Sequence, residues 1–276
     1  MRGLSAVSER SLSSDCHVQC ATTEVLVNLR TQTGWLKPSA SLAVNLLAVC
    51  LLYIGYLLIR GLIARHIDVG EALERGHDLS HLERDWHLSF EGAVQRAAME
   101  IPLAIPLLNA IYIWGHTPFL IGEFAWLYLR EPRWFRILRN GLILSAIPSV
   151  VLYIILPTAP PRLNPELALV DTVAGPNHSD YFIQPEIFAN HFAAIPSMHV
   201  GWALAAGLAA FLAMRTSRWR WLGLAMPVAM TASVMGTANH YVLDWVIGCT
   251  IAAACFAAAW MWDRRGSSPS ASPNPP

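Results

Sequence analysis

The chain has 276 residues, of which 54% are hydrophobic and only 14% charged, and nineteen Lys plus Arg balance nineteen Asp plus Glu. An ordinary globular domain is about 45–50% apolar and about 25% charged, so the composition excludes a typical soluble domain. The zero net charge leaves no field to gather nucleic acid. Lys37 is the one lysine, which excludes any mechanism built on a lysine inside the protein.

Taken in chain order, residues 1–40 are mostly polar and read as a largely disordered cytoplasmic segment. A bilayer core needs about 20 mostly apolar residues per helix, and the first such run is 41–63. Some forty polar residues precede it, so it reads as a retained span and not as a cleaved signal peptide. Residues 64–100 are charged, carry apolar residues at helical spacing and lack proline, which predicts an amphipathic helical segment at the outer interface. Further spans are expected at 103–129, 138–156, 198–214, 221–237 and 241–262. Between the third and fourth lies a proline-punctuated stretch, 157–196, of the length that is often functional. Residues 263–276 read as a disordered cytoplasmic tail. Cys16, Cys20, Cys50, Cys249 and Cys255 form no zinc or disulfide framework. The fold class is thus an all-α integral membrane protein, a bundle of six transmembrane helices over 41–262 with an amphipathic outer-interface segment.

Orientation follows from the basic residues, which concentrate in cytoplasmic loops. With the N-terminus inside, thirteen basic residues fall on the inner side and six (Arg60, Arg65, Arg75, Arg84, Arg96 and Arg162) on the outer. The short loops REPRWFRILR and RTSRWR are both strongly basic and share the inner side.

Three stretches that can carry chemistry then share the outer side: PTAPPRL at 157–163, AAIPSMHVGWA at 193–203 and ANHYVLDW at 238–245. Pro196 suits the first position of a helix, and Ser197, Met198 and His199 would present backbone N–H groups as an anion site. His240 and Asp244 are four apart on one helix face, so the carboxylate can hold one ring nitrogen and leave the other as a nucleophile or base. Arg162 can clamp a phosphate in bidentate fashion. His116 and Asn109, within the second span, are candidates to line the cavity. Asp171, His178 and His191 are loop residues that can meet an alcohol acceptor.

Pro-Ser-x-His followed after one helix by His-Tyr-x-x-Asp resembles two signatures of the type-2 phosphatidic-acid phosphatase superfamily, membrane phosphatases and phosphotransferases with a six-helix core. PTAPPRL, AAIPSMHVGWA and NHYVLDW are more specifically similar to the inositol phosphorylceramide synthase-like branch and its bacterial relatives. The resemblance covers about 41–262. It implies that His240 takes the phosphoryl group, Asp244 orients it, His199 protonates the leaving oxygen, and Ser197 and the Met198 backbone hold phosphate oxygens. It implies no metal and no cofactor. The phosphatase pattern also has basic residues where this chain has Ile155 and Val234, and a proline where it has Leu163, departures that match the phosphotransferase branch better. An unrecognised donor from the outer segments would complete the site.

The reading is a lipid phosphatase or phosphotransferase of the extracytoplasmic leaflet, with a lipid phosphate or phospholipid as substrate, an alcohol as a possible acceptor and no nucleic acid. Two other classes use the same groups. A metal-dependent membrane hydrolase would take His199, His240 and Asp244 as ligands, and a headgroup-binding protein or transporter would use them without turnover. The scarcity of Lys beside abundant Arg and Ala points to a GC-rich bacterial source and its cytoplasmic membrane.

Overall fold

The computed structural model describes residues 37–173 and 190–266. The expected tails lie outside these, except that helix begins at Lys37 and continues to Gly266. The chain divides into two units, Met1–Leu51 and Leu52–Pro276. In the first, the described part is the opening of a long helix. The second holds every residue of the site.

The described residues are helical without strands. Helix α1 covers Lys37–Ala64, α2 Val69–Asp85, α3 Glu91–Glu100, α4 Ala104–Arg130 and α5 Pro132–Ile155. Two 3-10 turns follow, Pro161–Leu163 and Pro165–Leu167, each opened by a proline that needs no N–H there. Then come α6 (Met198–Ala213), a 3-10 stretch (Arg218–Leu224), α7 (Ala225–Gly236) and α8 (Val242–Gly266). Among the described residues α4, α5 and α8 are long and apolar enough to cross a membrane; the second part of α1 qualifies as a fourth only together with α2, across a bend of 102°. Their outward residues, among them Ile121, Ile147, Val151, Ile154, Met261 and Trp262, are exposed apolar side chains of the kind lipid covers.

The expected fourth and fifth spans come out shorter. Helix α6 has 16 residues and α7 has 12. Pro227 has no N–H to return to the preceding turn, and the chain upstream of it is the tighter 3-10 form. The second span is interrupted by a π turn at Ile111–Gly115.

Helix α6 is central, packed by α4, α5, α7 and α8. Its sequence, MHVGWALAAGLAAFLA, explains this position, because small residues let backbones approach closely. At the tightest crossing a Cβ on Gly201 would come 2.5 Å from the Gly248 carbonyl oxygen, and one on Gly248 would overlap the Ser197 carbonyl. The starts of α6 and α8 are thereby locked side by side.

Helices α2 and α3 occupy the stretch expected to be amphipathic, but their buried residues include Ser80, Glu83, Glu91 and Gln95 beside Ala72, Leu79 and Ala98. The buried face is therefore partly polar, and its polar groups have specific partners.

Candidate functional site

The end of α5, the starts of α6 and α8 and the proline-rich turns meet at one end of the bundle. The Tyr153 hydroxyl of α5 donates to the Pro196 carbonyl at 3.0 Å, and the Ser197 N–H donates to the Asp244 carbonyl at 3.0 Å. Pro196 follows a cis peptide bond and precedes the helix, with Ser197 as the N-cap residue; it is not the first helical residue expected from the sequence. The Ser197 N–H is consequently taken, while helix geometry leaves those of Met198 and His199 without an intrahelical acceptor. The Ser197 hydroxyl is fully buried and has no partner.

His240 stands on the turn between α7 and α8, where Ala238 adopts a left-handed φ of 53°. Its Nδ1 lies 3.0 Å from the Ala194 carbonyl oxygen and 3.4 Å from Asp244 Oδ2. A carbonyl only accepts, so Nδ1 carries the hydrogen and Nε2 keeps the lone pair. Asp244 is fully buried and also accepts the Tyr241 N–H at 2.9 Å. The His199 ring lies 6.2 Å from that of His240, centre to centre.

The π turn has a local result. Such turns shift the helical register and are frequent at functional sites. Here Tyr112, within it, and His116, just after it, stand against His199 with ring centres at 4.8 and 5.1 Å. His116 is buried beside His199 and its Nε2 has no partner. Asn109 is different: it donates to the Thr172 carbonyl at 2.8 Å and accepts from the Thr172 hydroxyl at 3.3 Å. Its role is to tie the loop to α4, because both ends of its amide are engaged there.

The Arg162 side chain is buried. Its Nε donates to Asp171 at 3.2 Å and its Nη1 to Asn239 Oδ1 at 2.8 Å, while its N–H meets the Ala238 carbonyl at 3.0 Å. Arg162 thus reaches the residue before His240, with part of its donor set committed to protein partners. His191 is exposed, and His178 lies outside the described residues.

The start of α8 has acceptors of its own. Val242 N–H donates to Glu91 at 3.2 Å and Leu243 N–H to Glu83 at 2.6 Å. With Tyr241 bound to Asp244, this helix start is filled by the protein's own carboxylates and is not an anion site. Burial, followed by a hydrogen bond with Glu91, raises the Glu83 carboxyl to about 10, so it is a neutral acid at pH 7.

Sequence reasoning also missed Arg60. It is on α1, its Nη2 donates to the Asn190 carbonyl at 3.2 Å, and its buried Nε has no partner. It interacts electrostatically with Tyr56, Tyr153, Tyr112 and His199. The signal was an arginine within an apolar run, which is costly unless it serves a site. Ser233, beside the departure at Val234, donates to the Leu108 carbonyl at 2.6 Å and is a packing tie between α7 and α4.

Among the described residues, the ligand atoms of His199, His240 and Asp244 do not gather into a metal-holding group. The fold and the site define a helical membrane protein with two histidines and a carboxylate at one bundle end. Residues 77–258 match the PAP2 superfamily. That is well over half of the chain, which therefore belongs to this superfamily and is a membrane protein of phosphatase type. No curated protein and no solved structure matches it.

Proposed function

We propose that the protein is an integral membrane lipid phosphatase or phosphotransferase that works through a phosphohistidine on His240, without a metal at the reacting phosphorus. The observation that carries this reading is the Ala194 carbonyl at 3.0 Å from Nδ1. It fixes the tautomer in which Nε2 is nucleophilic. Nε2 attacks phosphorus, the bond to the lipid oxygen breaks, and His199 protonates that oxygen. Water or an alcohol then attacks the phosphohistidine, giving its proton to His199 and releasing His240. Arg162 and Arg60 balance the charge of the transferring group, and the Ser197 hydroxyl and Met198 N–H donate to its oxygens.

The branch similar to inositol phosphorylceramide synthase is favoured, because Ile155 and Val234 replace basic residues of the plain phosphatase pattern. The substrate class is then a lipid phosphate or phosphodiester headgroup at the extracytoplasmic leaflet of a bacterial cytoplasmic membrane. This reading takes six spans, with α6 and the segment Arg218–Gly236 as the fourth and fifth, and it is supported by the side on which the basic loops fall.

The test is turnover of mixed lipid phosphates and phosphodiesters by detergent-purified protein in EDTA. Wild type is expected to release or transfer phosphate and His240→Ala to lose about 10⁴-fold or more of that rate, the scale seen when a catalytic unit is broken. Equal rates in the two proteins refute the nucleophile, and headgroup binding without turnover points to a non-catalytic binder.

A further inference from the structure

Outside that site, His77 and His81 lie one turn apart on α2, and Glu166 faces them from the second 3-10 turn. His77 Nε2 is 3.2 Å from His81 Nε2 and 2.9 Å from Glu166 Oε1, and His81 Nε2 is 3.4 Å from Glu166 Oε2. We propose that His77, His81 and Glu166 form a binding site for a divalent transition ion of the zinc type, which clips α2 to the 3-10 turn that follows the one carrying Arg162.

Protons alone do not satisfy this arrangement. If both imidazoles donate from Nε2 to the carboxylate, their two N–H groups oppose each other across 3.2 Å. If one imidazole donates to the other, it is lost to the carboxylate. A cation bound to all three removes the conflict. With metal bonds of about 2.0–2.2 Å, tetrahedral ligands stand roughly 3.3 Å apart, close to the separations present. Imidazole nitrogen with carboxylate oxygen is a donor set that suits zinc. The three side chains are about half exposed, which leaves room for a water as fourth ligand. The Asp78 carboxylate, 3.9 Å from His77 Nδ1, is placed to support the nitrogen that faces away from the metal.

The two elements are also docked independently of any ion. Asn164 donates to the Ser80 hydroxyl at 3.2 Å, the Ala159 N–H meets the Ala72 carbonyl at 2.9 Å, and a Cβ on Gly76 would come 2.8 Å from the Ala159 carbonyl oxygen. The ligands therefore sit on a preformed junction. Glu166 follows Arg162 by four residues, and Gly76, beside His77, accepts the Tyr241 hydroxyl at 3.0 Å. An ion here braces both partners of the His240 turn.

The experiment uses the full chain, purified through a tag without histidine, stripped with EDTA and dialysed. Zinc is titrated by calorimetry and counted by elemental analysis, and cobalt serves as a visible-absorption probe. Wild type is expected to bind about one equivalent per chain and to give the intense visible bands of low-symmetry cobalt. The exposed double variant His77→Gln/His81→Gln is expected to lose both while keeping the thermal midpoint of the stripped wild type. Zinc is expected to raise the midpoint of wild type in a concentration-dependent way and not that of the variant. Equal zinc uptake by the two proteins, or none by wild type, overturns the site. None of these readouts needs turnover, so failure here is distinct from failure of the phosphohistidine reading. An effect of EDTA on turnover that disappears in the double variant belongs to this brace and not to the reacting centre.

Discussion

At the residue scale the site depends on which atoms are already engaged. Arg162 resembles a free phosphate clamp in the sequence, yet Asp171 and Asn239 hold it. Arg60 resembles one more basic residue of the outer side, yet its Nε is buried and unpartnered near the tyrosines and His199. A preorganised donor aimed at developing charge is worth about 10²–10³ in rate. Arg60→Ala is accordingly expected to lower kcat by that amount, and Arg60→Lys to recover a part, since an ammonium supplies charge without the planar fork. Turnover by Arg60→Ala within a few-fold of wild type would remove Arg60 from the machinery. The Ala194 carbonyl was not legible in the sequence for a simple reason: it is a backbone atom, and any residue type supplies one.

At the element scale, apolar runs of about twenty residues were legible because length and hydrophobicity are properties of composition. The six expected spans all contain helix. Local hydrogen bonding was not legible, and so the π turn before His116 and the 3-10 stretch before Pro227 were missed. The amphipathic reading of 64–100 did not extend to what the polar residues of α2 and α3 bind. Periodicity assigns Glu83, Glu91 and Gln95 to a polar face, but it cannot separate a solvated face from one that caps another helix. Glu83 gives a test. Its folded carboxyl titrates near 10, against about 4.3 for an unfolded glutamate. Between these values the native state holds a proton that the unfolded chain has lost, so stability falls as pH rises through that window. Glu83→Gln keeps an acceptor for Leu243 N–H and has no proton to lose. It is expected to flatten the dependence of the thermal midpoint on pH between about 5 and 9. At pH 8 it should raise the midpoint by roughly 2–4 °C, the equivalent of about 1 kcal/mol. A midpoint that falls with pH as steeply in the variant as in wild type would contradict the neutral-acid assignment.

At the scale of the whole molecule, the direction of the helices bears on how many cross the membrane. The starts of α6 and α8 are adjacent, joined by the Ser197 to Asp244 bond and the Gly201–Gly248 crossing, so the two helices run the same way. The other end is marked by Arg133 at the start of α5, which pairs with Asp263 near the end of α8 at 2.8 Å. Between Ala213 and Val242 the chain must therefore return over the length of the bundle. The 3-10 stretch of seven residues and the twelve of α7 rise about 14 and 18 Å, together about the 30 Å of a hydrocarbon core. Helix α6, at 16 residues, rises about 24 Å and is shorter than that core, but its neighbours enclose it and keep it from lipid. The return is thus long enough for a crossing, while α6 is enclosed by its neighbours, and the six-span proposal takes both as crossings. The basic loops at Glu131 and at Arg215–Arg220 then lie on one side and the histidines on the other. A fluorescent protein that matures only in the cytoplasm, inserted at Glu131 or after Gly266, is expected to fluoresce in cells. An alkaline phosphatase that is active only outside should report at Trp86. The reverse pattern would put the site on the cytoplasmic leaflet, and reporters on opposite sides at Glu131 and Ser217 would mean that α6 and its return do not both have the assigned direction.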